Sequence, residues 1–226
     1  MSADELYLAG VHVDQYRDPA VMPDAYWLES LRRNPPHAPS LQGMARYSYH
    51  MYRFDEALAY CERAIEVLTQ FNARLEDGEA YYLHGLILEA LGETDAAYDE
   101  YNRAAWCGST VDRAMTRVAC IDLLRGDPDQ AERHARQAMR HNALNPILPA
   151  VRMLARPEQA AEIAAEALAE DPLNLLVRYL SGAEDFYGAL ESEPAQSVLD
   201  LCFDLLSMGQ PVRCVELLEG LIAQRP

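Results

Sequence analysis

The sequence predicts an all-α protein built from successive pairs of packed helices. Three observations support this: small residues recur at a regular interval, glycines precede them at a fixed distance, and no stretch of the 226 residues shows a convincing strand pattern. Half of the residues are hydrophobic, so the chain has enough apolar side chains for a folded core.

A frame of two positions, the second seven places after the first, recurs in five segments, most clearly in FDEALAYCERAIEV (54–67) and TDAAYDEYNRAAWC (94–107). The first positions of the frame are Ala57, Ala97, Ala131, Ala160 and Cys214. The second positions are Ala64, Ala104, Ala138, Ala167 and, as a larger exception, Leu221. Residues at this spacing share a helix face, so we expect small side chains where paired helices cross.

The interval between successive first positions varies along the chain. The step from Ala97 to Ala131 matches a period of about 34 residues, which is typical of stacked helix–turn–helix units. The step before it is longer, and the step from Ala131 to Ala160 is shorter. The last step, from Ala160 to Cys214, is long enough to contain a degenerate extra element.

The first helix of each pair has a small residue of its own. Gly85 holds this position in the stretch 81–106, and Ala45 and Ala119 hold it in the neighbouring pairs. Because closely crossing helices leave room only for small side chains, we expect Gly85 to face the region of Ala97 on the following helix.

Glycines mark the turn inside each pair. Gly92, Gly126 and Gly209 each stand five residues before the first small residue of their frame. Helices commonly end in a residue with left-handed backbone, which glycine adopts most easily, so the first helix should end here. Pro226 stands twelve residues after Cys214, where a proline ends the second helix. We therefore expect the chain to be part of a longer protein.

These signals predict one solenoid over residues 1–226. Its units are expected at 23–36 (a half unit), 37–72, 78–109, 111–144, 145–172, 173–194 (degenerate) and 195–226. The first helix of the 145–172 unit should be about five residues short, because its frame follows the preceding one too soon for the full repeat period.

The order W/Y-x-x-L-G, A, Y/F, A, P resembles the tetratricopeptide repeat (TPR) family, whose unit is a helix–turn–helix of about 34 residues. The resemblance covers roughly residues 23–226 and is strongest in the second and third units. It implies a right-handed, TPR-like helical-repeat solenoid, an α–α superhelix. It also implies that the first helices line a concave face on which such proteins bind their partners.

Three longer stretches resemble the C-terminal helical region of large bacterial proteins that have an uncharacterised, β-rich domain in front of their repeats. They are GVHVDQYRDPAVMPDAYWLESLRRNP, DGEAYYLHGLILEALGETDAAYDEYNRAAW and EPAQSVLDLCFDLLSMGQPVRCVELLE. This resemblance implies that the chain is the repeat portion alone.

Composition excludes several partners and chemistries. The net charge is −17, and all 19 basic residues are arginines. A strongly acidic surface repels phosphate backbones and anionic lipids, so we expect neither nucleic acid nor a membrane as partner. Without lysine, no Walker, Schiff-base or pyridoxal lysine exists. The five cysteines form no C-x-x-C pair and no signal peptide is recognisable, which favours a reducing, cytoplasmic location.

The sequence contains no pattern typical of catalysis or metal binding. Its six histidines form no H-E-x-x-H motif and no zinc spacing, and neither G-x-S-x-G nor a phosphate loop occurs. Acidic residues concentrate at helix starts, where they stabilise the helix dipole. We therefore expect no metal, no cofactor and no catalytic residue. His84 is expected to be a hydrogen-bonded core histidine or, alternatively, a group that titrates and gates packing.

The first helices should supply the binding residues. By repeat position the candidates are Arg46, Tyr49, His50, Tyr82, Leu86 and Glu89, followed by Thr116, Cys120 and Leu123. Tyrosines at helical spacing are most often half-buried packing residues, but arginine and tyrosine are also frequent interface anchors. This singles out Arg46, Tyr49 and Tyr82. TPR domains that bind a C-terminal carboxylate use lysines on this face, so that binding mode is not expected here.

The leading hypothesis is a non-catalytic protein-interaction or scaffold module of a larger bacterial protein, whose partner is a protein, a peptide or an adjoining domain. An alternative, based on resemblance alone, is an accessory or regulatory region of a carbohydrate-active enzyme. A homodimer is a further possibility, because the last unit has Leu217, Leu218, Leu221 and Ile222 with no polar cap behind them.

Overall fold

The computed structural model describes residues 1–16, 21–71, 75, 77–184, 186–190 and 194–224. Within these residues every regular element is helical, with thirteen α-helices and two short 3-10 turns. The predicted all-α class is therefore confirmed. Contacts divide the chain into two compact units, Met1–Val111 and Asp112–Pro226.

The first unit consists of three consecutive helix pairs. Its helices are α1 (Ala3–Tyr16), α2 (Asp24–Arg33), α3 (Ala38–His50), α4 (Phe54–Thr69), α5 (Glu79–Ala90) and α6 (Thr94–Ala104). The pairs are α1 with α2, α3 with α4, and α5 with α6. The repeat frame predicted only a half unit at 23–36, so it did not reveal α1.

Trp27 explains why α1 belongs to this unit. The side chain is 1% exposed, and its ring lies between two glycines, Gly10 of α1 and Gly43 of α3. A β-carbon at either glycine would come closer than 3.0 Å to the ring. The indole Nε1 also donates to the carbonyl of Tyr7 at 3.2 Å. Burial of this large ring, together with the hydrogen bond, attaches α1 to the helices that follow.

Five of the described helices end in the same hydrogen-bonded turn. Four of these turns have a glycine with φ of 71° to 85°, namely Gly92, Gly126, Gly182 and Gly209. The N–H of the next residue donates to a carbonyl five residues back, as Glu93 does to Leu88 at 2.9 Å. The fifth turn has Tyr52 with φ of 57°, and Arg53 donates to the Ser48 carbonyl at 2.9 Å. This is the Schellman arrangement, which satisfies carbonyls at the helix end.

The second unit starts regularly and becomes irregular after its first pair. Its helices are α7 (Val111–Leu124, beginning at the boundary), α8 (Pro128–Met139), α9 (Ile147–Ala155), α10 (Ala160–Glu170), α11 (Leu175–Leu180), α12 (Pro194–Ser207) and α13 (Pro211–Gln224). The 3-10 turns are Pro157–Gln159 and Tyr187–Ala189. Helix α9 has nine residues against fourteen in α7, and α11 has six. The short helices fall where the spacing of the small residues departs from the regular repeat.

Two tyrosine hydroxyls tie the irregular segment to α13. Tyr179 donates to the carbonyl of Arg213 at 2.7 Å, and Tyr187 donates to that of Leu217 at 3.1 Å. Gly220 leaves the space that the Tyr187 ring occupies, since a β-carbon there would overlap the phenol. Two hydrogen bonds and one ring–glycine contact therefore join α11 and the 3-10 turn Tyr187–Ala189 to the last helix.

Candidate functional site

The small residues of the repeat mostly lie inside the helix pairs. Those with buried side chains or backbone are Ala45, Ala57, Ala64, Gly85, Ala97, Ala104, Ala119, Ala131 and Ala138. Ala160 and Ala167 are only half-buried, and Ile163 and Ala164 are the enclosed residues of their helix. A 3-10 turn, Pro157–Gln159, precedes this helix in place of a glycine turn. Because a 3-10 turn is wound more tightly than an α-helix, the residues after it need not keep the face that the repeat frame assigns to them.

Gly85 packs against Tyr101. A β-carbon at Gly85 would lie 2.6 Å from Cε1 of Tyr101, closer than real side chains approach. Tyr101 is fully buried, and its hydroxyl donates to Oε2 of Glu89 at 2.7 Å. Gly85 thus contacts Tyr101, which lies one helical turn after the expected partner, Ala97. The ring that α6 inserts therefore requires a glycine on α5.

Neighbouring helices of the first unit contribute the six candidate binding residues. We call these residues the α3–α5 surface: Arg46, Tyr49, His50, Tyr82, Leu86 and Glu89. His50 is exposed and the other five are half-buried. Helices α3 and α5 are in contact, and Tyr49 packs on a buried cluster that includes Leu83 and Ile87 of α5.

Aromatic rings extend this surface around the end of α3. The ring centroid of Tyr49 lies 5.7 Å from that of His50 and 5.7 Å from that of Phe54. The ring of Tyr52 lies 6.0 Å from Phe54 in an edge contact. Met51 is 52% exposed and Tyr52 is 82% exposed, so the group is open to solvent. We call these five residues, 49–52 and 54, the aromatic turn.

Tyr52 occupies a position where the other turns have glycine. It stands five residues before Ala57, as Gly92 stands five before Ala97, so the sequence contains this signal although no glycine marks it. A left-handed backbone costs a residue with a β-carbon roughly 1–2 kcal/mol. An exposed side chain gains little from burial to offset this. Strain of this kind is concentrated at functional sites.

Arg46 has an unused hydrogen-bond donor. Its Nε is buried and has no acceptor among the residues that the structure describes. A buried donor without a partner costs roughly 1–3 kcal/mol. A carboxylate brought by a ligand would remove that cost if the Arg46 side chain turns so that Nε reaches the ligand. Tyr82 of α5 differs from Arg46 because it has a partner within the protein. Its ring centroid lies 5.7 Å from that of Tyr101 on α6.

Helices α4 to α6 also enclose a polar cluster. Nδ1 of His84 lies 3.5 Å from Oε2 of Glu100, whose Oε1 accepts from Arg103 at 2.8 Å. Neither ring nitrogen of His84 makes a hydrogen bond with a described residue. Burial raises the pKa of Glu100, but His84 and Arg103 outweigh it and hold that pKa below its ordinary value. Burial raises the pKa of the Cys61 thiol to about 12, which makes it a poor nucleophile.

Two of the candidates on α7 are buried. Thr116 is 4% exposed and Cys120 is 0% exposed, while Leu123 is half-buried. Asn145, just before α9, donates from Nδ2 to Oγ1 of Thr116 at 3.0 Å. The segment before α9 therefore covers this part of α7. The prediction that Thr116 and Cys120 lie on an open face is therefore wrong, because repeat position takes no account of neighbouring segments that cover a helix.

The residues that the structure describes offer neither a cluster of metal ligands nor a membrane-spanning helix. They contain no group of three or more His, Cys, Asp or Glu side chains arranged to hold a metal ion. None of the helices among them is long and apolar enough to cross a membrane.

No model of a known protein family matches this sequence. Solved structures do match. A TPR protein from Parabacteroides merdae superimposes with a TM-score of 0.64 at 12% identity, over 99% of this chain and 93% of that chain. The C-terminal part of a TPR repeat-containing protein from Cytophaga hutchinsonii gives 0.62 at 13% identity, over 99% and 94%. YrrB, a TPR protein with an unusual peptide-binding site, gives 0.56 at 14% identity, over 85% and 97%.

Structural matches at identities this low establish a shared fold and show nothing about partners. Three TPR structures nevertheless match over most or nearly all of the chain, and the helix pairs seen here have the turn and small-residue frame that the sequence predicted. The chain therefore has the TPR helical-repeat fold, and the resemblance inferred from its repeat frame is confirmed.

Proposed function

We propose that this chain is a non-catalytic protein-interaction module that binds an extended peptide segment of a partner on the α3–α5 surface and the aromatic turn. The proposal rests first on Tyr52, a strained and exposed tyrosine at a position where glycine would relieve the strain. YrrB, which shares the fold, offers a precedent for peptide binding by a TPR protein.

The chemistry of the two surfaces suggests what the peptide contains. Tyrosine and arginine are enriched among residues that dominate binding energy, and aromatic-lined surfaces bind extended, apolar peptide segments. The unused Nε of Arg46 calls for an acceptor. We therefore expect an acidic residue close to aromatic or proline residues in the bound peptide.

Selection from a displayed library of random dodecapeptides on the 226-residue chain would test this proposal. Enriched peptides should combine an acidic residue with aromatic or proline residues. Fluorescence anisotropy should show that Arg46→Gln weakens their binding about tenfold or more, the loss expected for one charged hydrogen bond. Arg63→Gln, at an exposed arginine of α4, is the matched control and should leave binding unchanged. Equal loss in both variants, or no enrichment, would contradict the proposal.

Two other sequence-based hypotheses stay predictions. For the homodimer, Leu217 is fully buried, Leu218 and Leu221 are half-buried, and Ile222 is 70% exposed. Sedimentation equilibrium of the chain and of Ile222→Ser would test self-association, and a monomer at every concentration would contradict it. The accessory role in a carbohydrate-active enzyme rests on the resemblance alone.

A further inference from the structure

The second unit contains an open cavity of about 420 Å³. The ends of α7, α9 and α11 form its walls together with the start of α13. Leu123, Met153, Leu154 and Leu180 contribute apolar side chains to these walls, and Gln210 and Arg213 contribute polar ones. A cavity of a few hundred Å³ that combines apolar side chains with a few polar groups has the size and character of a small-molecule site.

Two contacts fix the start of α13 beside this cavity. Gly209 packs against Leu124 at the end of α7, where an added β-carbon would lie 2.6 Å from Cδ2 of the leucine. The Tyr179 hydroxyl donates to the backbone carbonyl of Arg213 at 2.7 Å. The backbone that presents Arg213 is therefore held in place before any ligand arrives, which lowers the entropic cost of binding.

The charge of the lining is unusual for this chain. The protein has 36 acidic residues, yet the described residues that line the cavity include no carboxylate and one arginine, Arg213. Arg213 forms no ion pair with a residue that the structure describes. A smaller cavity in the same unit is lined by Glu166, Glu170 and Asp171, among others. The larger cavity thus combines apolar side chains and one glutamine with a single positive charge that no described carboxylate pairs.

We propose that this cavity binds a small organic acid with an apolar chain and a terminal carboxylate. The guanidinium of Arg213 pairs with the carboxylate in the bidentate geometry that suits these two groups. The apolar chain lies against Leu123, Leu154 and Leu180. All of these residues belong to the second unit, so this inference does not depend on the proposed peptide site of the first unit.

Isothermal titration of the 226-residue chain with decanoate and with decan-1-ol tests the charge requirement. We expect one site, with decanoate bound at least about tenfold more tightly than the alcohol. Arg213→Gln should abolish this preference, whereas Arg140→Gln, at an exposed arginine of the same unit, should retain it. Equal binding of acid and alcohol, several weak sites, or an unchanged preference in Arg213→Gln would overturn the proposal.

Two further measurements test the location and the class of ligand. Leu154→Phe narrows the cavity without removing Arg213 and should weaken decanoate binding. An unchanged affinity in this variant, with melting temperature retained, would place the acid elsewhere and overturn the proposal. The tripeptide acetyl-Leu-Leu-Leu with a free carboxylate offers the same chemistry from a polypeptide terminus. Tighter binding of this tripeptide than of decanoate would overturn the assignment to a small acid.

Discussion

The helix pairs α3–α4 and α5–α6 share one repeat frame, but they fill their crossings differently. Where α6 inserts the large ring of Tyr101, α5 has Gly85. At the equivalent positions of the earlier pair, α4 has the smaller Cys61 and α3 has Ala45, both fully buried. Volume lost on one helix is thus regained on its partner. The repeat fixes where two helices touch, and the summed volume of the two side chains decides whether the helices fit together.

The turns of the same two pairs differ without such compensation. Gly92 adopts a φ of 85° with nothing within 4 Å of an added β-carbon. Tyr52 adopts a φ of 57° at the equivalent position and is largely exposed. The first difference is an exchange of volume inside the core, whereas the second leaves a strain that the fold does not need. This contrast is why we propose a binding role for Tyr52 and a packing role for Tyr101.

The largest expected effect comes from emptying the crossing of α5 and α6. Tyr101→Cys introduces the residue found at position 61 but leaves a cavity beside Gly85. We expect the free energy of unfolding to fall by about 3 kcal/mol, as for other large-to-small changes in a core. Urea unfolding followed by circular dichroism measures this. A loss below about 0.5 kcal/mol, within the usual range for surface substitutions, would contradict the packing role.

Gly85→Ala should lower the free energy of unfolding by about 1–3 kcal/mol, because its methyl group meets the Tyr101 ring. In the Tyr101→Cys background the same change has room and recreates the pair seen in α3–α4. The double variant should therefore be more stable than the sum of the single effects predicts. Additive losses in this double-mutant cycle would show that the two positions do not exchange volume.

Gly92→Tyr should convert the second turn into a copy of the first. Nothing lies near the added side chain, so backbone strain of roughly 1–2 kcal/mol is the main cost. The smaller freedom of tyrosine in the unfolded chain offsets about 0.4–1 kcal/mol of this strain, and we expect a net loss of about 0.5–1 kcal/mol in unfolding free energy. Urea denaturation of the variant measures the loss. If Gly92→Tyr is as stable as the natural chain, a left-handed tyrosine is not strained in this turn. The backbone of Tyr52 would then no longer support a binding role for this residue.

The smallest expected effect is a pH dependence at Glu100. Its pKa is lowered in the folded protein, so its carboxylate stabilises the fold fully above the unfolded pKa and loses this contribution as pH falls through the folded pKa. The stability difference between the natural chain and Glu100→Gln should therefore shrink as pH falls below about 4.3, the ordinary pKa of a glutamate. Glu62→Gln, at an exposed site of α4, is the control. A Glu100→Gln difference that is constant down to about pH 3 would contradict this assignment.

Features repeated along the chain could be predicted from sequence, and features that depend on distant partners could not. The turns at Gly92, Gly126 and Gly209 follow from local backbone chemistry. Tyr52 could have been found by counting five residues back from Ala57, but an expectation of glycine concealed it. Helix α1 depends on the Trp27 ring, which no repeat position reveals.

The same distinction applies to the candidate site. Repeat register placed Tyr49 and Tyr82 on neighbouring helices, but it could not foresee that Asn145 would cover Thr116. It also gave no sign that the Nε of Arg46 would lack an acceptor among the described residues, because hydrogen-bond satisfaction depends on the packed neighbours.

Tyr52→Gly tests the central claim most directly when stability and peptide binding are measured on the same variant. Glycine relieves the strain but gains freedom in the unfolded chain, so we expect the unfolding free energy to stay the same or rise by less than about 1 kcal/mol. Binding of a library-selected peptide should weaken about tenfold or more, as for loss of an aromatic interface anchor. Unchanged peptide affinity in this folded variant would contradict a binding role for the strained tyrosine.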